Sequence, residues 1–161
     1  MKVVSLAACT LALFVAGCAS NQQFVRIPNQ NVRVEDPNKG RIYVIRPSGM
    51  GASASFEVWD GKVHVGNSAS KSYLCWERKP GEAIISGKEE NVSTVSIYVK
   101  ANQPYYIFQH MRMGWVAARN ELEVVSEEQG KELLKKCKGP KEGKCNDHAE
   151  CKAQPPSGAD L

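Results

Sequence analysis

The chain has little of what a catalyst or a membrane-spanning protein needs. Its 161 residues include three histidines, His64, His110 and His148. Nucleophilic hydrolysis requires an activated serine or cysteine beside a histidine and an orienting acid, and no Gly-x-Ser-x-Gly turn occurs. His64 alternates with Val63 and Val65, which reads as the solvent side of a strand, and His110 follows Phe108-Gln109 on another. Glu57, Asp60 and Glu77 are scattered over turns and strand faces, without the paired carboxylates of a glycosidase. Gly49-Met50-Gly51-Ala52-Ser53 lacks the lysine and helix of a phosphate loop and reads as a turn. Charges of both signs are interspersed, with no dense basic stripe carrying aromatics, which argues against a nucleic-acid partner. Past the N-terminal region no apolar run approaches the roughly twenty residues needed to cross a bilayer. These absences predict a chain that is not an enzyme and uses no cofactor.

What is present begins at the N-terminus. Lys2 precedes an apolar run from Val3 to Ala16, interrupted by Ser5 and Thr10 and too short to span a membrane. Val15-Ala16-Gly17-Cys18 then sets an aliphatic residue and two small ones before a cysteine. This quartet resembles the lipobox of bacterial lipoproteins. The resemblance implies diacylglyceryl transfer to the Cys18 thiol, cleavage between Gly17 and Cys18, and acylation (palmitate, for example) of the new amine. Two or three acyl chains, at about 0.8 kcal/mol per buried methylene, anchor a protein stably. Ala19 and Ser20, neither acidic, follow Cys18. By analogy with Gram-negative sorting, this points to the periplasmic face of the outer membrane.

Removing residues 1–17 leaves 144 residues, enough for one domain with a modest core, and losing Lys2 lowers the formal charge from +4 to +3. Cys9 leaves with the signal and Cys18 takes lipid, so Cys75, Cys137, Cys145 and Cys151 remain. In an oxidising compartment an even number of thiols suggests disulfides. Residues 18–39 are polar and aperiodic and read as a flexible tether from lipid to domain.

From residue 40 the texture becomes that of strands. Arg41–Arg46 is β-branched and aromatic. Phe56–Trp59 and Lys62–Val65 flank Asp60-Gly61, a hairpin signal, since Gly61 tolerates positive φ. Ser72–Trp76, Glu82–Ser86, Ser93–Val99, Tyr105–Met111, Trp115–Ala118 and Leu122–Val125 follow, separated by turn residues. About seven to nine short strands with no intervening helix predict an all-β antiparallel sandwich of immunoglobulin-like or prealbumin-like type. One helix closes residues 40–137. Ser126 and Gln129 form a capping box, Glu127 and Glu128 lie in its first turn, and Lys135 and Lys136 in its last. Leu133, Leu134 and Cys137 share a face that packs on the sheet. Gly139-Pro140 ends it, and residues 138–161 read as a disordered tail.

Gly40-Arg41-Ile42-Tyr43-Val44-Ile45-Arg46-Pro47, Val58-Trp59-Asp60-Gly61, Val65-Gly66, Ser72-Tyr73-Leu74, Lys79-Pro80-Gly81-Glu82 and Tyr105-Tyr106 together resemble a family of small bacterial lipoproteins. That family is the domain of unknown function 2846 (DUF2846). The resemblance covers about residues 39–137 and rests on residues that make strands and turns. It implies an envelope β-domain and supplies no catalytic residues.

The four cysteines allow three pairings. Cys75 lies in a strand that looks buried on both faces, and Cys137 lies on the packed helix face, so Cys75–Cys137 and Cys145–Cys151 are the expected bonds. A competing reading takes Cys137, Cys145, His148 and Cys151 as zinc ligands, but exported thiols usually oxidise first and the segment has no apolar shell. Tyr105, Tyr106, Phe108 and Trp115 read as core and cross-strand pairs ahead of a ligand groove. The expected function is a lipid-anchored, non-catalytic module that binds an envelope protein or glycan. An envelope hydrolase with an unrecognised site is the alternative.

Overall fold

A computed structural model describes residues 21–48, 54–113 and 118–143. Two sheets carry the chain. One has the order β1 (Gln22–Gln23), β4 (Val63–Ser68), β3 (Phe56–Asp60), β6 (Gly81–Lys88), β7 (Val92–Val99); the other has β5 (Ser72–Arg78), β2 (Gly40–Arg46), β8 (Pro104–Met113), β9 (Ala118–Val125). All pairings are antiparallel except β2 with β8, which run parallel with Ile42 opposite Tyr105 and Val44 opposite Ile107. The expected all-β sandwich is the fold. Among the described residues no helix is long and apolar enough to cross a membrane.

The core follows from strand alternation. Ile42, Val44, Leu74, Trp76, Ile107 and Leu122 point inward from one sheet, and Val58, Val65, Ala83, Ile85 and Val99 meet them from the other. Each fully buried large aliphatic or aromatic side chain contributes roughly 1.5–3 kcal/mol. β2 is buried along its whole length because it is covered on both faces. Its outward residues Tyr43 and Ile45, with Cys75 and Tyr106, form a second cluster beneath Leu133, Leu134 and Cys137. That layer belongs to α1 (Glu127–Leu134) and the turn after it.

Local signals produce the elements where they were expected. Gly61 takes φ 58° in the β3–β4 turn. The Ser126 side chain accepts from the Gln129 backbone while the Gln129 side chain accepts from the Ser126 backbone. Gly130 is the point of closest approach between helix and sheet: a Cβ there would stand 2.2 Å from Tyr106 Cγ. The Tyr106 ring stacks on Tyr43 at 5.1 Å, so helix, ring and ring form one packed column.

The structure corrects the tether and the start of the tail. From Asn21 onward the segment read as flexible is part of the fold, because its polar groups complete hydrogen bonds that the sandwich leaves open. The Gln23 side chain donates to the Cys75 carbonyl at 2.6 Å and accepts from the Cys75 N–H at 2.9 Å, closing the free edge of β5. Arg41 reaches outward to the carbonyls of Val32 (2.7 Å) and Asn29 (3.0 Å). Lys138 bridges to Ser72 and Glu142 to Gln23, so residues 138–143 pass from the β5 edge of one sheet to the β1 edge of the other. The helix is also shorter than expected, ending at Leu134 with Lys131 as the basic residue of its last turn. The strand expected at Trp115 lies outside the described residues until Ala118, where β9 begins and continues unbroken to Val125.

Candidate functional site

Alternation along β8 turns Tyr106, Phe108 and His110 to the outer face of their sheet, and β9 sends Glu123 and Val125 to the same side. Tyr106 is covered by α1. Beside it, between the helix and the strands, is a groove of about 460 Å³ lined by Phe108, His110, Glu123, Val125, Glu128, Gln129, Glu132 and Leu133. That volume falls in the range of small-ligand sites, and an apolar floor with a few convergent polar groups is their usual character.

Phe108, Val125 and Leu133 make the floor. The His110 ring lies 3.7 Å from the Phe108 ring, and His110 Nε2 is 2.8 Å from Glu123 Oε2. His110 is mostly covered while Glu123 is more than half exposed. Opposite them Glu128 and Glu132 stand one turn apart on the helix. Hydrogen bonds from its own backbone N–H and from the Ser126 hydroxyl hold the Glu128 carboxyl below the usual carboxylate range. Lys135, bonded to Glu132 at 2.5 Å, does the same for that residue. The groove therefore offers an apolar trough edged by three carboxylates and one imidazole. It suits a group with an apolar stem and a cationic end. Among the described lining residues there is no serine, threonine or cysteine that His110 could activate.

A second cavity of about 390 Å³ lies beside Asp60, Val63, Arg78, Lys79, Glu82 and Ile84. Its chemistry is largely committed within the fold. Asp60 is buried, accepts from Trp76 Nε1 at 3.0 Å and is paired with Arg78.

Several expected residues stand elsewhere than anticipated. His64 is buried rather than solvent-facing: its ring stacks on Trp59 at 4.5 Å and meets the edge of Phe24 at 4.9 Å. Phe24, from the segment read as tether, covers this outer face. Glu77, one of the acids read as scattered over turns and strand faces, has its side chain buried against Arg41. The expected Cys75–Cys137 disulfide is absent, and both are free thiols within one apolar cluster. The Cys75 thiol is turned to the side chains of Gln30 and Tyr43, while Cys137 lies by Tyr73, which neighbours both. Burial pushes the Cys75 thiol up to about 12 and the Cys137 thiol up to about 11. Gly17, Cys18, Cys145, His148 and Cys151 lie outside the described residues. Among the described residues no group of three or more histidine, cysteine or acidic side chains is placed to hold a metal. Tyr105 packs against the core and Tyr106 lies within the second cluster, leaving Phe108 as the aromatic of that stretch that reaches the groove. The acids of α1 were legible only as partners of the helix dipole, because nothing local reveals which strands the helix crosses.

No protein-family profile matches the chain, and no solved structure matches it. It is similar to an uncharacterized protein of Haemophilus influenzae, 28% identical over an alignment of 130 residues that covers 78% of this chain and 77% of that one.

Proposed function

We propose that this chain is a lipid-anchored, non-catalytic binding module of the bacterial cell envelope, held by Cys18 at the periplasmic face of the outer membrane. The groove between α1 and the β8–β9 ribbon is its ligand site, taking a cationic, partly apolar group of an envelope protein or glycan. The signal-like N-terminus and the lipobox quartet support the address. The resemblance to domain of unknown function 2846 agrees with an envelope β-domain. The observation that carries the binding role is the groove itself: an apolar floor edged by Glu123, Glu128 and Glu132. Opposite charge at the rim of such a site steers and selects a partner more than it adds affinity.

The test is a titration of the purified protein with two short peptides, one bearing lysines and leucines and one in which glutamate replaces each lysine. The lysine peptide is expected to bind and to shift the His110 ring resonances, and the glutamate peptide is not. The double variant Glu123→Gln, Glu132→Gln is expected to bind the lysine peptide roughly tenfold more weakly. Equal binding of both peptides, or an unaltered affinity in the double variant, would refute the groove assignment.

A further inference from the structure

The fold starts very close to the lipid-bearing position. Asn21 is three positions beyond Cys18, and Ala19 and Ser20 alone intervene. An extended chain covers at most about 3.6 Å per residue, so Asn21 stands within roughly 11 Å of Cys18. Asn21 is itself fixed and nearly buried, its side-chain amide donating to the carbonyls of Tyr73 at 3.0 Å and Gly139 at 3.4 Å. A domain held on so short a lead cannot present every face to the membrane.

The strand register says which face it presents. β1 pairs antiparallel with β4, Gln22 opposite Asn67 and Gln23 opposite Gly66. Followed back toward Cys18, the chain therefore leaves the sandwich at the end holding the β4–β5 turn, residues 69–71. Lys71 sits in that turn with φ 53° and is exposed. Its carbonyl accepts from the Lys138 N–H at 2.8 Å, and the Lys138 carbonyl accepts from the Tyr73 N–H at 3.3 Å. The Lys141 carbonyl accepts from the Gln23 N–H at 2.8 Å. Three exposed lysines are thus fixed by backbone hydrogen bonds around the residues that lead to the anchor. The acid in the same stretch is Glu142; Glu89 and Glu90 occupy the β6–β7 turn at this end too, but across the sheet from β1, with β4 and β3 between. Lys62 and Lys100 lie on turns at the opposite end.

We propose that this end of the sandwich rests on the bilayer and that Lys71, Lys138 and Lys141 contact anionic phospholipid headgroups. The inference rests on the lipid-anchor reading of Cys18. It orients the domain with the β3–β4 turn and the start of α1 away from the membrane. The helix groove then opens along the side of the molecule, within reach of a partner in the periplasm.

Lysine acetylation tests this on the full lipidated protein. Its N-terminal peptide is first weighed to establish lipid on Cys18. The protein is then acetylated in nonionic detergent, in phosphatidylcholine vesicles, and in vesicles of phosphatidylcholine with phosphatidylglycerol. A lysine near an anionic surface gains roughly fivefold in partition toward it. Acetylation of Lys71, Lys138 and Lys141 is expected to slow by about that factor on the anionic vesicles and less on phosphatidylcholine, with Lys62 and Lys100 unchanged. An unlipidated Cys18 would sink the anchor reading and this inference with it. Lipidated protein in which Lys62 and Lys100 are protected as strongly as the other three overturns the orientation while leaving the anchor intact. Equal protection of the three lysines on both kinds of vesicle overturns the headgroup contact.

Discussion

Glu77→Ala is expected to lower the stability of the domain by about 3–5 kcal/mol, the range for removing one partner of a buried ion pair. Glu77 holds two parts of the molecule together. Its Oε1 lies 2.7 Å from Arg41 Nη2 and 2.9 Å from Arg41 Nε, with both side chains almost completely buried. Its two oxygens also accept from the backbone N–H groups of Glu35 at 2.6 Å and Asp36 at 3.0 Å. Arg41 in turn spends its remaining donors on Val32, Asn29 and Tyr43. Alanine at 77 leaves a buried guanidinium without its counter-charge and the 29–36 segment without its tie. Urea unfolding should record the loss, and hydrogen exchange of residues 29–36 should rise ahead of the sandwich core. The double variant Arg41→Met, Glu77→Leu should lose far less, since apolar replacement of both partners removes the stranded charge. A Glu77→Ala protein within about 1 kcal/mol of the parent, with unaltered exchange at residues 29–36, would contradict the assignment.

Stability is expected to fall steeply as pH rises past 9.0. The cluster under α1 holds Tyr43, Tyr106 and Cys75, with Tyr73 and Cys137 packed against it. Burial raises the proton affinity of all five. Each has a higher folded than unfolded value, so its contribution is fully present below the unfolded value and is lost as pH rises through the folded one. For the thiols the loss begins near 9.0, and for the tyrosines near 10.0. Cys75, completely buried and raised to about 12, represents on the order of 4 kcal/mol across that interval. Urea midpoints taken at about pH 8 and about pH 10.5 should therefore differ strongly. Cys75→Ala should flatten part of the slope even though it removes some packing. Equal midpoints at the two pH values would show that these groups ionise without opening the cluster.

What was legible in the chain was local. Asp60-Gly61 marks its hairpin because a two-residue turn needs positive φ, and Ser126 with Gln129 marks a helix start because both partners of the capping box lie within three residues. The β-branched and aromatic texture of β2 and the two-sided apolar character of β5 marked two strands that the sandwich buries. The contributions of Gln23 and Glu77 were not legible. Gln23 acts on Cys75 at a separation of 52 residues, and a polar residue spent on another strand's backbone looks the same in sequence as one left in water. His64 shows the converse: alternation placed it correctly on the outer face, but Phe24 and Trp59 cover that face. The groove needed strand register and helix placement together. Phe108 and His110 on β8 meet Glu123 on β9 through pairing, and Glu128 and Glu132 join them because Gly130 lets α1 lie on Tyr106. The one visible sign was that Phe108, His110, Glu123 and Val125 all hold outward parity on neighbouring strands.

Cys18 is the proposed point at which this protein meets the membrane. Mass spectrometry of the N-terminal peptide, from protein isolated with the outer-membrane fraction of the producing bacterium, tests it most directly. The expected species begins at Cys18 and carries a thioether-linked diacylglyceryl group and an amide-linked acyl chain, with residues 1–17 gone. A soluble protein that retains Met1, or one that is cleaved elsewhere and bears an unmodified Cys18, would contradict it.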